Sequence, residues 1–130
     1  MATKFPHPLS DAQAIAQVNK GLPFGEAEWL AGALGLSLEK FADYVGIPKA
    51  TLFRRRGAKF TRNESDHIMR YARLFDRAAA IFETEDGARE WLTTPQHGLN
   101  GIVPLEHART ETGARQVETL LGRIEYGKAL

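Results

Sequence analysis

Apolar residues recur at three- and four-residue intervals through most of the chain, the spacing that lines one face of an α-helix. After Ser10, suited to capping a helix start, Ala12, Ile15, Ala16 and Val18 run to a stop at Gly21. Between Pro23 and Gly35 the pattern returns with Phe24, Ala27, Trp29, Leu30 and Leu34. Ser37 opens a short helix with Leu38, Phe41, Ala42 and Val45 inward, ended by Gly46, and a helix from Pro48 to about Arg56 follows. Thr61 and Glu64 form a Ser/Thr-x-x-Glu capping box ahead of the longest run, which carries Ile68, Met69, Ala72, Phe75, Ala79 and Phe82. Thr84 caps a helix holding Trp91 and Leu92, and Thr94-Pro95 ends it. Residues 96–101 read as a loop and 104–108 as one or two helical turns. Thr110 then starts a last helix through Val117, Leu120, Leu121 and Ile124 to Gly127. Strand-like alternation and hairpin signals are lacking, so the expected fold class is all-α.

The stretch from Ser37 to Arg56 has the pattern of a helix-turn-helix. Two short helices can cross closely at small Ala42, turn at Gly46, and fill the space between them with Ile47 and Leu52. Lys49, Ala50, Phe53 and Arg54 then lie opposite Leu52, flanked by Thr51, Arg55 and Arg56. A second helix with basic outward residues is what major-groove docking requires, some side chains gripping phosphate and others reaching base edges. These seven residues are the candidate DNA contacts. A plain αα-corner with a solvated basic face is the competing reading.

Charge sharpens this picture. The chain of 130 residues carries a net charge of only +1, but residues 37–77 hold ten bases against five acids and residues 78–130 five against eight. A basic middle and an acidic end suit two different partners. The absence of cysteine excludes a disulfide framework and thiolate metal sites. The first nine residues lack the apolar core of a secretory signal, and no apolar run reaches the ~18 residues of a membrane span. A cytoplasmic protein without membrane association is expected.

The helix-turn-helix resembles the DNA-binding module of Xre/Cro-type repressors in its Ala42, Gly46-Ile47 and Leu52 spacing, although those repressors usually keep an apolar residue where this chain has Arg55. Arg55 is therefore either a phosphate clamp or part of a family variant. Further along, Trp91-Leu92, Pro95, Leu99-Asn100-Gly101, Pro104-Leu105, Thr110 to Gly113, Val117 and Leu120 to Gly127 together resemble the toxin-binding domain of Xre/MbcA/ParS-type antitoxins. The resemblance covers roughly residues 25–130. It implies a DNA-binding domain over 1–82 and a toxin-binding and dimerisation domain over 83–130. It also implies a RES-domain toxin that consumes NAD as partner, operator DNA as a second partner, and autoregulation of the operon. A stand-alone regulator whose C-terminal domain only dimerises or senses a ligand remains the alternative, and an interaction module that no longer touches DNA is a third reading.

Self-association is expected, because one recognition helix gains affinity and spacing specificity when two are presented. Trp91, Leu92, Leu120 and Leu121 place its interface in residues 84–130. Gly113 implies a close backbone approach, to a neighbouring helix or to a partner. Glu111, Glu118 and Glu125 recur at seven-residue spacing, as a solvated face or as a stripe opposite a basic toxin cleft. The helix is expected to end at Gly127 and leave the last three residues projecting. Under the resemblance, Glu125, Tyr126, Lys128 and the terminus of Leu130, supported by Arg123, would cover the toxin's phosphate-binding arginines. No catalytic, metal or cofactor site is expected. The four histidines lack metal-ligand spacing, and no Gly-rich phosphate loop or Gly-x-Ser-x-Gly elbow occurs.

Overall fold

The structure, a computed structural model, describes residues 9–129. Among them the fold is helical, with only two isolated β-bridges, Pro23 to Lys59 and Gln96 to Ile102. The chain divides into two compact units between Arg73 and Leu74, inside the longest helix.

The first unit starts with α1 (Asp11–Lys20), whose Ser10 cap and Gln13 side chain exchange hydrogen bonds in a capping box. Its apolar residues do not all turn inward: Ala14 is buried, whereas Ile15 is 61% exposed. Gly21 ends α1 at a φ of 85°, and a Cβ there would stand 2.5 Å from the Phe60 carbonyl oxygen, so no other residue fits. Next to it the buried Leu22 N–H donates to the Ser65 hydroxyl at 2.9 Å, while Phe60 N–H donates to the Leu22 carbonyl. These bonds tie the lead-in of α2 (Phe24–Ala33) to the start of α5 (Arg62–Phe82).

Between them lie α3 (Leu38–Val45), capped by Ser37, and α4 (Lys49–Arg54). The latter is shorter than the pattern suggests. Arg55 already has C-cap geometry, and Gly57 turns the chain at a φ of 73°. Leu22, Ala27, Leu30, Leu34, Phe41, Ala42, Val45, Leu52 and Ile68 make its buried core.

The second unit takes in the last turns of α5, Leu74 onward, within the stretch expected from the sequence to belong to a DNA-binding domain over 1–82. α6 (Glu85–Thr93) is capped by Thr84, and Trp91 lies against Phe82 with ring centroids 5.8 Å apart. A single 3₁₀ turn (His97–Leu99) leads to α7 (Pro104–His107) and α8 (Glu111–Ala129). Gly98 leaves room for Leu120, whose Cδ1 would stand 2.8 Å from an added Cβ. Gly113 resolves the choice that the sequence left open: a Cβ there would fall 1.8 Å from the His107 carbonyl oxygen, so its close approach is to the end of α7. Leu92 and Leu121 are fully buried within the single chain, and only Trp91 and Leu120 keep some exposure. That removes half of the burial argument for a dimer interface.

Candidate functional site

The geometry of the helix-turn-helix follows from how the C-terminus of α3 is held. The last carbonyls of a helix lack partners within it. Here the Val45 carbonyl faces His67 Nδ1 at 2.9 Å, which fixes that nitrogen as the donor, and the Tyr44 carbonyl accepts from the Tyr71 hydroxyl at 3.2 Å. Both side chains come from α5, so the elbow before α4 is pinned from beneath. Gly46 then takes the left-handed turn at a φ of 72°, and Ile47 and fully buried Leu52 close the space between the helices.

This scaffold turns Lys49, Ala50, Arg54 and Arg56 to the surface and leaves Thr51, Phe53 and Arg55 half-buried. Lys49 lies 3.8 Å from Glu39 on α3, an exposed pair worth little in water. Arg54 reaches the Thr51 hydroxyl at 3.4 Å. Arg56 spreads its guanidinium over the rings of Phe53 (4.9 Å) and Phe24 (5.6 Å), and Phe24 stacks in turn on Phe60. An arginine held on aromatic faces loses little freedom on meeting a ligand.

Arg55 stands apart from its neighbours. Its Nε and Nη2 donate to the two carboxylate oxygens of Glu64, each at 2.9 Å. The hydrogen bonds from Arg55 hold the Glu64 carboxyl below the usual carboxylate range, and the same bonds raise the Arg55 value. Glu64 also accepts from the Thr61 N–H, which completes the capping box read from the sequence. The sequence identified Glu64 as a cap alone. Its second partner lies nine residues upstream at the C-cap of α4, and no local pattern announces it.

At the other end of the chain, α8 does not stop at Gly127 but continues to Ala129, and the free tail expected from the sequence is not formed over the described residues. Polar contacts hold this end. Arg77 on α5 passes 3.4 Å from where a Cβ of Gly122 would lie and reaches Glu125 at 3.2 Å. Lys128 donates to the Ile81 carbonyl and sits 5.6 Å over the Phe82 ring, where it satisfies an acceptor at the end of α5. A shallow hollow of about 340 Å³ lies between Ala80, Ile81, Glu83, Glu125 and Lys128. Arg123 and Tyr126 are exposed on the same helix end, Tyr126 by 68%. Leu130 lies outside the described residues. Glu111 pairs with Arg115 at 3.7 Å, and Glu118 is exposed.

Among the described residues no three His, Asp or Glu side chains come close enough to hold a metal ion, and no helix is long and apolar enough to cross a membrane.

Residues 13–73 match the family model described as the antitoxin Xre-like helix-turn-helix domain, and residues 77–127 that described as the antitoxin Xre/MbcA/ParS C-terminal toxin-binding domain. The chain is 33% identical over 115 residues to an Antitoxin Xre of Photorhabdus laumondii, covering 86% of this chain and 78% of that protein. It is 42% identical over 86 residues to an Antitoxin Xre of Yersinia enterocolitica, covering 64% and 58% respectively. To an Antitoxin Xre of Pseudomonas putida it is 35% identical over 86 residues, covering 65% and 54%. The chain thus spans little more than half the length of the last two.

Proposed function

The chain belongs to the Xre-type antitoxin family, and from that membership we propose that it is a non-enzymatic regulator with two partners. Its first unit binds operator DNA and represses its own operon. Its second binds and neutralises a cognate toxin, of the RES type that consumes NAD. The observation that carries the reading is the separation of two surfaces along one chain. Lys49, Arg54 and Arg56 are exposed around the buried anchor Leu52 in the half matching the helix-turn-helix family model. Arg123, Glu125 and Tyr126 crown an ordered helix end in the half matching the toxin-binding family model.

On the DNA side, Lys49, Thr51 and Arg54 approach the major groove and Arg56 grips phosphate, with Ala50 and Phe53 as apolar contacts. On the toxin side, the end of α8 acts as a folded plug. Glu125, Tyr126, Lys128 and the Leu130 terminus occupy the toxin's dinucleotide site and Arg123 supports them. Two copies of the chain present two recognition helices to a pseudo-palindromic operator. This reading places the protein in the cytoplasm with its DNA.

Co-expression with the adjacent reading frame, followed by sizing of the purified material, tests the reading. A stoichiometric complex is expected that also retards DNA from its own promoter. Lys49→Ala and Arg54→Ala should weaken that retardation and leave rescue from the toxin intact, because the two surfaces belong to different units. Normal growth rescue without any co-purifying toxin, or unchanged DNA affinity in both variants, would refute it.

A further inference from the structure

Three consecutive arginines run from the last residue of the recognition helix through its C-cap, and only the middle one is withdrawn from solvent. The Arg55 side chain retains 24% exposure and that of Glu64 16%, against the exposed Arg54 and Arg56. The bond between them is the bidentate fork that fixes both direction and distance. Arg55 occupies the C-cap of α4, and Glu64 the first turn of α5. The pair therefore joins the end of the recognition helix to the helix that also pins the elbow through His67 and Tyr71. Swinging Arg55 out to a phosphate would strand a half-buried carboxylate and withdraw one of its bonding partners at the start of α5.

We propose that Arg55 and Glu64 are a positioning pair for DNA recognition, setting the pose of α4 so that Arg54 and Lys49 meet base edges, and that Arg55 itself does not touch DNA. The inference rests on the DNA-binding reading above. It predicts a separation of effects along the arginine run. Loss of Arg54 or Arg56 removes a charge from the interface. Loss of the Arg55–Glu64 pair leaves the interface charge intact and loosens its geometry.

The test uses the full-length chain and a duplex that the wild-type protein enriches from a random-sequence pool. Affinity is measured against salt concentration for this duplex and for an unrelated one, with thermal unfolding recorded for every variant. Glu64→Gln, which keeps the capping shape, and Arg55→Met should each lose roughly tenfold in preference for the selected duplex while the salt slope stays at the wild-type value. The double variant should lose no more than the worse single one, because both remove the same interaction. Arg55→Lys, charged but unable to fork, should behave like Glu64→Gln and serves where Arg55→Met does not fold. A variant that is merely less stable would lose active protein without changing the preference ratio or the slope.

A salt slope lowered by about one in Arg55→Met, with Glu64→Gln neutral, would make Arg55 a phosphate contact and overturn the proposal. Unchanged preference in both singles would overturn it equally. Failure of the wild-type chain to enrich any duplex would overturn the DNA-binding reading itself, and the proposal with it.

Discussion

Two glycines of α8 should respond to alanine in opposite directions. An added Cβ at Gly113 would lie 1.8 Å from the His107 carbonyl oxygen, 2.9 Å from its carbon and 3.0 Å from Thr110 Oγ1. The obstacle is backbone, so relief requires more than 1 Å of displacement between the end of α7 and the start of α8. That joint holds fully buried Leu105, Ala108 and Val117. Overpacking a close-packed site costs about 1–3 kcal/mol and occasionally more. Alanine recovers up to about 1 kcal/mol through helix propensity. Because a carbonyl cannot rotate aside as a side chain does, Gly113→Ala should sit at the upper end, a net loss of about 2–3 kcal/mol.

At Gly127 an added Cβ meets nothing within 4 Å, and the residue is helical, so Gly127→Ala should gain about 0.5–1 kcal/mol. Chemical denaturation of both variants beside the wild type gives the two signs directly, and the midpoint for Gly113→Ala should fall while that for Gly127→Ala rises. In thermal scans a loss of this size corresponds to roughly 8–12 °C for a chain of this length. A Gly113→Ala protein as stable as the wild type would show that α7 and α8 are not packed as described. The reasoning from close approach would then fail.

Ser65→Ala deletes the only acceptor described for the buried Leu22 N–H and should cost about 1–3 kcal/mol in a denaturation titration; a loss below a few tenths would mean another acceptor takes over. The Glu64 carboxyl is depressed in the folded state, so its stabilisation is complete above the unfolded value and is lost as pH falls through the lowered folded one. The stability gap between wild type and Glu64→Gln should therefore be widest near neutrality and shrink in acid, which unfolding midpoints across pH will check; a gap that widened in acid would contradict it. Truncation after Ile124 removes Glu125 and Lys128 with their holds on Arg77, Ile81 and Phe82. The shortened chain should still fold and bind operator yet fail to rescue cells from the toxin, and full rescue would place inhibition elsewhere on the domain.

Much of this protein is local in origin and was legible in the linear sequence. Ser10, Ser37, Thr61 and Thr84 announce helix starts because a cap satisfies backbone donors within three residues. The helix-turn-helix follows from Ala42, Gly46, Ile47 and Leu52 for the same reason: its packing partners are neighbours in sequence.

Tertiary structure decided whatever depends on residues far apart. Arg55 and Glu64 carry opposite charges, but only the fold between the end of α4 and the start of α5 brings the edges of their planar groups together. The direction of α1 was set by the inward turn of Ala14, because alanines with one isoleucine and one valine make too weak a stripe to specify a face. Gly113 signalled a close approach without saying to what, and the return of α8 beside His107 supplied the answer. The end of α8 is the clearest case. A glycine near the terminus, Gly127, reads as a helix stop when only short-range terms are weighed. The orphan carbonyl of Ile81 and the ring of Phe82, almost fifty residues upstream, give Lys128 a partner that makes continuing the helix favourable.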